Sequence, residues 1–239
     1  MKIALIGYGK MGKAIEGIAV EKGHAIVLKI DKDNSNELTP DNLQKADVAI
    51  EFTGPETALN NILTCIDAGI PVISGSTGWI MDLPKAESHC KQKNGTFLYA
   101  TNFSIGVNIF FELNKKLAAM MANQPAYSVS IEEIHHTEKK DAPSGTAITL
   151  AEQAIKELPG KSSWVNSSPA KGNELYIESK RIDPAPGTHT VKYSSGVDDI
   201  EIVHTAHNRL GFAGGAVLAA EFLQGKKGVF SMKDVLNIT

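Results

Sequence analysis

The sequence predicts an α/β fold: a parallel-sheet domain of βαβ units, interrupted by an inserted α+β domain with a mixed sheet. Three observations carry this expectation. Over the first hundred residues, short apolar runs alternate with helical patterns, the rhythm of parallel βαβ units. After Phe103 the rhythm changes to one long helical pattern and then strands with partial alternation. A late helical pattern, near Gly214, returns the chain to the first domain. The 239 residues, 42% hydrophobic and 21% charged, suffice to bury a core in each part. The expected division is residues 1–103 with 210–239 for the first domain and 104–209 for the insert.

Each element has its own local reason. Lys2–Ile6 is a short apolar run ended by glycines, too short for the apolar core of a signal peptide and so read as a strand. Met11, Ala14, Ile15, Ile18 and Ala19 share one face of a helix that runs to Lys22 and stops at Gly23. Ala25–Ile30 is the second strand, closed by Asp31, and 47–52 the third. Pro55 opens a helix, where its missing N–H costs nothing, and Gly69 closes it. Val72–Ile73 leads into Gly75-Ser76-Thr77-Gly78, and Thr96–Tyr99 into Ala100-Thr101-Asn102-Phe103. In the insert, 104–121 and 146–158 are helical, while 127–134, 175–182, 189–193 and 200–206 are strands. Residues 161–173, rich in Ser, Pro, Gly and Asn, read as a long surface loop, and a C-terminal tail follows the helix at about 214–223.

Composition excludes several classes of function. A net charge of −3 gives no overall case for nucleic acid. No apolar run approaches the roughly 18 residues of a membrane span. Cys65 and Cys90 have no CxxC spacing, which argues against a metal site and a disulfide scaffold and for a reducing, cytoplasmic setting. His204 and His207, three apart on a predicted strand, face opposite sides and do not share a metal. His24 and His189 read as surface or internally satisfied histidines. Arg209 is either a carboxylate partner or a surface arginine.

Gly7-Tyr8-Gly9-Lys10-Met11-Gly12 is a G-x-G-x-x-G between a predicted strand and helix. Gly7 permits the tight turn, Gly9 lets backbone approach a pyrophosphate, and Gly12 lets helix and strand pack closely. This is the Rossmann-like pattern of a dinucleotide site. The phosphates would sit on the helix N-terminus, where free N–H groups and the dipole attract anions. Asp31, at the end of the next strand, suits the ribose hydroxyls of NADH, whereas the neighbouring Lys32 suits the 2′-phosphate of NADPH, so both cofactors stay open. Gly75, Ser76 and Thr77, and Ala100, Thr101, Asn102 and Phe103, follow strand ends where such sheets bind ligands.

The densest chemistry lies in 132–147. His135 and His136 are adjacent at a strand end, Lys139 and Lys140 follow, and Ser144, Gly145 and Thr146 open a helix. Hydroxyls, a glycine and a helix N-terminus suit a small acid, with His or Lys delivering a proton. A solvated charged loop with a helix cap would have the same composition.

From Glu133 to Ala147 the sequence follows E-x-H-H-x-x-K-x-D-A-P-S-G-T-A, which closely resembles the signature of the 4-hydroxy-tetrahydrodipicolinate reductase (dihydrodipicolinate reductase) family. The resemblance extends to Gly7–Gly12, 51–56, 75–78, 102–108 and 230–236. It implies reduction of a small cyclic imine dicarboxylate by NADH or NADPH with loss of water, in lysine and diaminopimelate biosynthesis. It further implies His135 as proton donor, with Lys139 as a second donor or carboxylate contact. His136, Ser144, Gly145 and Thr146 would hold substrate, and the 75–77 and 100–103 segments the nicotinamide. It also implies a homotetramer joined through the sheet of the insert. Two positions depart from the family pattern: Lys10 and Thr137 stand where relatives often carry arginine.

Overall fold

The structure is a computed structural model that describes residues 1–208 and 210–238. In chain order the elements begin with β1 (Lys2–Ile6), α1 (Lys10–Glu21) and β2 (Ala25–Ile30). A 3₁₀ turn (Lys32–Glu37), α2 (Pro40–Leu43), β3 (Val48–Glu51), α3 (Pro55–Asp67) and β4 (Val72–Ser74) follow. Then come α4 (Leu83–Gln92), β5 (Thr96–Tyr99), α5 (Ile105–Met121), β6 (Ser128–His135) and α6 (Gly145–Glu157). The remainder is β7 (Ser163–Val165), β8 (Glu174–Arg181), β9 (Gly187–Ser194), β10 (Asp199–Ala206), α7 (Leu210–Phe222), β11 (Gly228–Phe230) and α8 (Met232–Leu236). These divide into two compact units, Met1–Ile105 with Leu210–Thr239, and Gly106–Arg209.

The first unit holds a six-stranded sheet ordered β11-β5-β4-β3-β1-β2, every pair parallel. Alternation assigns its side chains to two cores. Ile3 and Leu5 pack with Ile15 and Ala19 of α1 and Val217 and Ala220 of α7. Ala4 and Ile6 pack with Ile62 and Ile66 of α3 and Cys90 of α4. A sheet buried on both faces needs such continuous apolar strands, and Lys2–Ile6 supplies one. Close approach requires glycine at two points. A Cβ on Gly12 would lie 2.3 Å from the Gly7 carbonyl oxygen, and one on Gly215 1.8 Å from that of Phe103.

The second unit is a five-stranded mixed sheet ordered β10-β9-β6-β8-β7, antiparallel at β10/β9 and β9/β6 and parallel at β6/β8 and β8/β7. Helices α5 and α6 cover one face, where Phe110, Phe111, Leu150 and Ala154 pack on Ile131, Ile177 and Val191. Along β6 the buried positions are 129, 131, 133 and 135. The first two are Val and Ile; the last two are Glu133 and His135, so the core face turns ionisable where the strand ends.

Several elements differ from the sequence expectation. The predicted loop at 161–173 contains β7, which pairs with β8 and is too short to show a period. The C-terminal tail contributes β11, an edge strand against β5, and α8. Helix α4 was not anticipated, because its polar sequence shows little apolar periodicity. Helix α7 also starts earlier than expected, its first turns masked by Gly211, Gly214 and Gly215.

The two glycines of α1 should respond oppositely to alanine. Gly12→Ala is expected to lose about 1–3 kcal/mol through the clash with the Gly7 carbonyl. Exposed Gly17, whose Cβ would meet nothing within 4 Å, should gain about 0.5–1 kcal/mol. Urea unfolding of the two variants measures both, and equal effects would contradict this packing.

Candidate active site

Parallel strands end together, so in the first unit the ends of β1, β2, β3, β4 and β5 lie along one edge of the sheet. There β1 is flanked by β2 on one side and β3 on the other, the switch point where open α/β sheets bind ligands. A cavity of about 400 Å³ opens at this point, lined in part by Gly7, Gly9, Asp31, Lys32 and Thr53. Gly9 is the N-cap of α1 and supplies no side-chain cap, which leaves the first N–H groups of the helix to a ligand. A Cβ on Gly9 would point into open space. An anion can approach this backbone, and these residues fit a dinucleotide.

The other predicted contacts fall into place around this edge. The Tyr8 hydroxyl bonds Glu16, and the Lys29 ammonium sits 4.8 Å above the Tyr8 ring, so this side chain lies against α1 and β2. Lys10 is exposed and Met11 half-buried in the first turn of α1. Asp31 caps the 3₁₀ turn by accepting from the Lys32 N–H at 3.0 Å. Gly75, Ser76 and Thr77 follow β4, and 100–103 follow β5. Thr77 and Thr101 are exposed, the Asn102 side chain accepts from the Ser104 N–H at 2.9 Å, and Phe103 is buried against Phe52. Neither segment lines the cavity that holds Gly7 and Asp31.

One organising residue here was not singled out from the sequence. Glu51, at the end of β3, is fully buried and accepts from the hydroxyls of Thr53, Ser74 and Ser76 and from the Thr53 N–H at 2.9 Å. The Ser76 hydroxyl is thereby committed to the protein. Its signal in the sequence is an acid closing the apolar run 48–51, followed in the next strand by Ser74 and Ser76.

In the second unit the residues of the 133–147 segment come together at the end of β6. Glu133 is fully buried. Its carboxylate accepts from the Ser144 N–H at 3.1 and 3.0 Å and from Arg181 Nη2 at 3.3 Å, and lies 3.4 Å from His135 Nδ1. Ser144 caps α6, accepting from the Ala147 N–H at 3.2 Å. Its Oγ also lies 3.1 Å from His189 Nε2. The His189 ring meets that of His135 edge-on, centroids 5.1 Å apart. His136 is half-buried and Gly145 exposed at the helix N-terminus beside half-buried Thr146. Lys139 holds both oxygens of Asp141 at 2.8 Å. Arg181, opposite His135 in the β6/β8 register, donates from Nη2 to the Asp141 carbonyl at 2.6 Å and from Nε to that of Lys139 at 3.3 Å.

Two residues of this cluster escaped the sequence reading. Of the two alternatives for His189, surface or internally satisfied, the structure excludes the surface one: it is 5% exposed and its Nε2 lies 3.1 Å from Ser144 Oγ, which puts it in this cluster. Its place on β9, two positions before core residue Val191, is the signal that would have placed it inward. Arg181 lies in a strand with no motif around it. Glu133, His135 and His189 put donor atoms within 4.8 Å of one another, a spacing open to a cation, but the Arg181 guanidinium already balances the carboxylate. His204 and His207 belong to no such cluster among the described residues. His204 lies against Phe110, ring centroids 6.0 Å apart. Arg209 lies outside the described residues.

The electrostatics follow burial. Burial pushes His189 down to about 3, helped by the charge of His135. His135 is also held below its ordinary value, by burial first and by Lys139 and Arg181, with Glu133 opposing. Burial raises the Glu133 carboxyl, yet hydrogen bonds from Ser144 and Ser179 outweigh it and keep the group below the usual carboxylate range. Both imidazoles therefore bind protons less readily folded than unfolded. Stability should fall as the pH drops below about 6.5, since the unfolded chain takes up protons first. Each such histidine contributes up to about 1.4 kcal/mol per pH unit. Urea midpoints between pH 7 and 5 should show this slope, shallower in His189→Gln; an unchanged slope would contradict the burial of a neutral imidazole.

Comparison with known proteins agrees with this geometry. Family models described as dihydrodipicolinate reductase, N-terminus, and dihydrodipicolinate reductase, C-terminus, match residues 1–103 and 106–236. The chain is 52% identical over 237 residues to a 4-hydroxy-tetrahydrodipicolinate reductase of Christiangramia forsetii, covering 99% of this chain and 98% of that one. It is 31% identical over 230 residues to one from Neisseria meningitidis serogroup B, covering 93% and 84%. In fold it is similar to a dipicolinate-bound dihydrodipicolinate reductase from Paenisporosarcina sp. TG-14, with a TM-score of 0.77, 22% identity and coverage of 100% and 99%. With the two family models together matching residues 1–103 and 106–236 and a relative identical at half its positions, the chain belongs to the dihydrodipicolinate reductase family.

Proposed function

We propose that this chain reduces 4-hydroxy-tetrahydrodipicolinate to tetrahydrodipicolinate, taking hydride from NADH or NADPH and releasing water, in lysine and diaminopimelate biosynthesis. One substrate, one reduced cofactor and one proton become product, oxidised cofactor and water. The observation that carries this reading is the end of β6, where a buried imidazole, an ammonium and the N-terminus of α6 converge. A nicotinamide dinucleotide, when bound, supplies the hydride.

The chain's own residues then have the following work. Gly7, Gly9 and Gly12 bring the start of α1 to the pyrophosphate, Asp31 takes the ribose, and Lys32 meets a 2′-phosphate if one is present. The 75–77 and 100–103 segments orient the nicotinamide. His136, Gly145, Thr146 and the Ser144 cap hold substrate carboxylate at the start of α6, whose dipole favours an anion. His135 quenches the charge left by hydride addition, with Lys139 as second donor or carboxylate partner. The first unit is thus the cofactor domain and the second the substrate domain. Among the described residues no helix is long and apolar enough to cross a membrane. We place the enzyme in the cytoplasm as a homotetramer joined through the five-stranded sheet, whose helix-free face carries exposed Val203.

The test is loss of NADH and NADPH absorbance with substrate made fresh by the preceding enzyme. Oxidation should depend on substrate, and His135→Ala should cut kcat by about 10²–10⁴-fold while cofactor binding is unchanged. Full turnover in that variant would remove His135 as donor. No oxidation by the parent, with cofactor bound, would favour another dehydrogenase or a nucleotide sensor. Lys32→Ala should lower NADPH use about tenfold relative to NADH, from one lost charged contact; an unchanged ratio would show that Lys32 does not meet the 2′-phosphate.

A further inference from the structure

We propose that Glu133 is a positioning residue for His135: its carboxylate, 3.4 Å from the buried Nδ1, which has no hydrogen-bond partner, favours a proton on that nitrogen and so leaves Nε2, beside Gly187, to face the substrate. The inference rests on the proposed reduction, in which His135 gives up a proton.

Glu133 stands where β6 otherwise places Val129 and Ile131, with no exposed surface. An unpaired charge there would be strongly unfavourable, and an apolar residue would fill the position without that penalty. The carboxylate is instead held by groups from two other elements, the Ser144 N–H at the start of α6 and Arg181 of β8, and His135 Nδ1 of its own strand lies 3.4 Å away, buried and without a hydrogen-bond partner. The imidazole is bounded on two other sides. The His189 ring of β9 meets it edge-on. Gly187 lies against the opposite nitrogen, where a Cβ would come within 3.0 Å of Nε2 and 3.2 Å of Cδ2. Any other residue at 187 would cover the nitrogen. One edge of the ring thus faces an anion, and at the other the missing side chain of Gly187 spares Nε2 a crowding Cβ.

The proton balance follows. The imidazolium carries N–H bonds at both nitrogens. The Nε2–H bond breaks, its electron pair stays on the ring, and the proton goes to the substrate position made electron-rich by hydride addition. The ring is left neutral with Nδ1–H towards Glu133, which stays ionised throughout. Solvent returns the proton at Nε2. The charged and titratable groups facing this ring are Glu133, Arg181 of β8, His189 of β9, and Lys139 and Asp141 of the following loop. Glu133 and Arg181 act on it with opposite sign.

That opposition gives the experiment. The pH dependence of kcat is measured at saturating substrate and cofactor for the parent, Glu133→Gln and Arg181→Gln, with folding checked by circular dichroism. The His135 Cε1–H is titrated by NMR in the same proteins. Activity needs protonated His135, so the high-pH limb should move down by about one pH unit in Glu133→Gln and upward in Arg181→Gln. Above the limb the first variant then loses about tenfold in kcat, with cofactor KM unchanged. A purely structural role would shift neither limb, or both alike, and either result overturns the proposal. If Glu133→Gln does not fold, an unmoved limb in Arg181→Gln overturns it alone. The NMR titration needs no turnover. A His135→Ala variant that stays active would refute the donor assignment, while the titration still reports whether Glu133 governs the ring.

Discussion

A carboxylate taken out of water must be given hydrogen bonds or a countercharge, and each unit arranges its strand ends around one such group. In the first unit Glu51 closes β3 and gathers Thr53, Ser74 and Ser76, tying the loop after β3 to the strand and loop that precede the 75–78 turn. In the second unit Glu133 gathers Ser144, Arg181 and His135, tying the start of α6 to β6 and β8. In both, the polar groups that would otherwise belong to mobile loops are fixed to the sheet. The two carboxylates differ in what surrounds them. Glu51 is met by hydroxyls and an N–H alone. Glu133 is met by a guanidinium and imidazoles, so its charge can influence a proton as well as hold a loop.

The parallel domain was legible because its signals are local. Lys2–Ile6, Ala25–Ile30 and Thr96–Tyr99 are bounded by glycine or a polar residue, and the structure starts and ends these strands as the sequence does. The elements that went unread lack such signals. Helix α4 has Pro84 and Lys85 near its start and buries only Ala86 and Cys90. Strands β7 and β11 are three residues each, and their pairing is decided by neighbours far away in sequence. The site divides in the same way. His135, Lys139 and Ser144 stand in one contiguous run and could be read from it. His189 and Arg181 reach the same point only because β9 and β8 flank β6 on either side, a fact of sheet order that no local pattern contains.

Burying two imidazoles beside one carboxylate works against stability at low pH. A histidine held below its ordinary value is a stronger acid once protonated, so it parts with its proton more readily. Glu133 limits that effect by favouring the charged ring, whereas Lys139 and Arg181 press the other way. His189, pushed down to about 3 by burial, has its Nε2 3.1 Å from Ser144 Oγ. One cluster thereby holds two histidines in different surroundings, His189 having Ser144 at its Nε2 and His135 having Glu133, Arg181 and Lys139 about it.

The glycines show the same division between support and chemistry. A Cβ at Gly12 or Gly215 would strike a backbone carbonyl, and at Gly75 the ring of Phe52. These positions let chain pack on chain, and any side chain there would push elements apart. Gly9 and Gly145 differ: each stands at the start of a helix, and a Cβ would meet nothing within 4 Å. Open space alone means little, since exposed Gly17 has it too. At a helix N-terminus it leaves backbone N–H groups approachable, which is what a pyrophosphate at α1 and a carboxylate at α6 both require. Gly187 is a third case, because the atom its missing side chain would crowd is Nε2 of the buried His135 ring. Glycine there answers two demands at once, a backbone φ of +155° that other residues rarely adopt and the space beside the His135 ring.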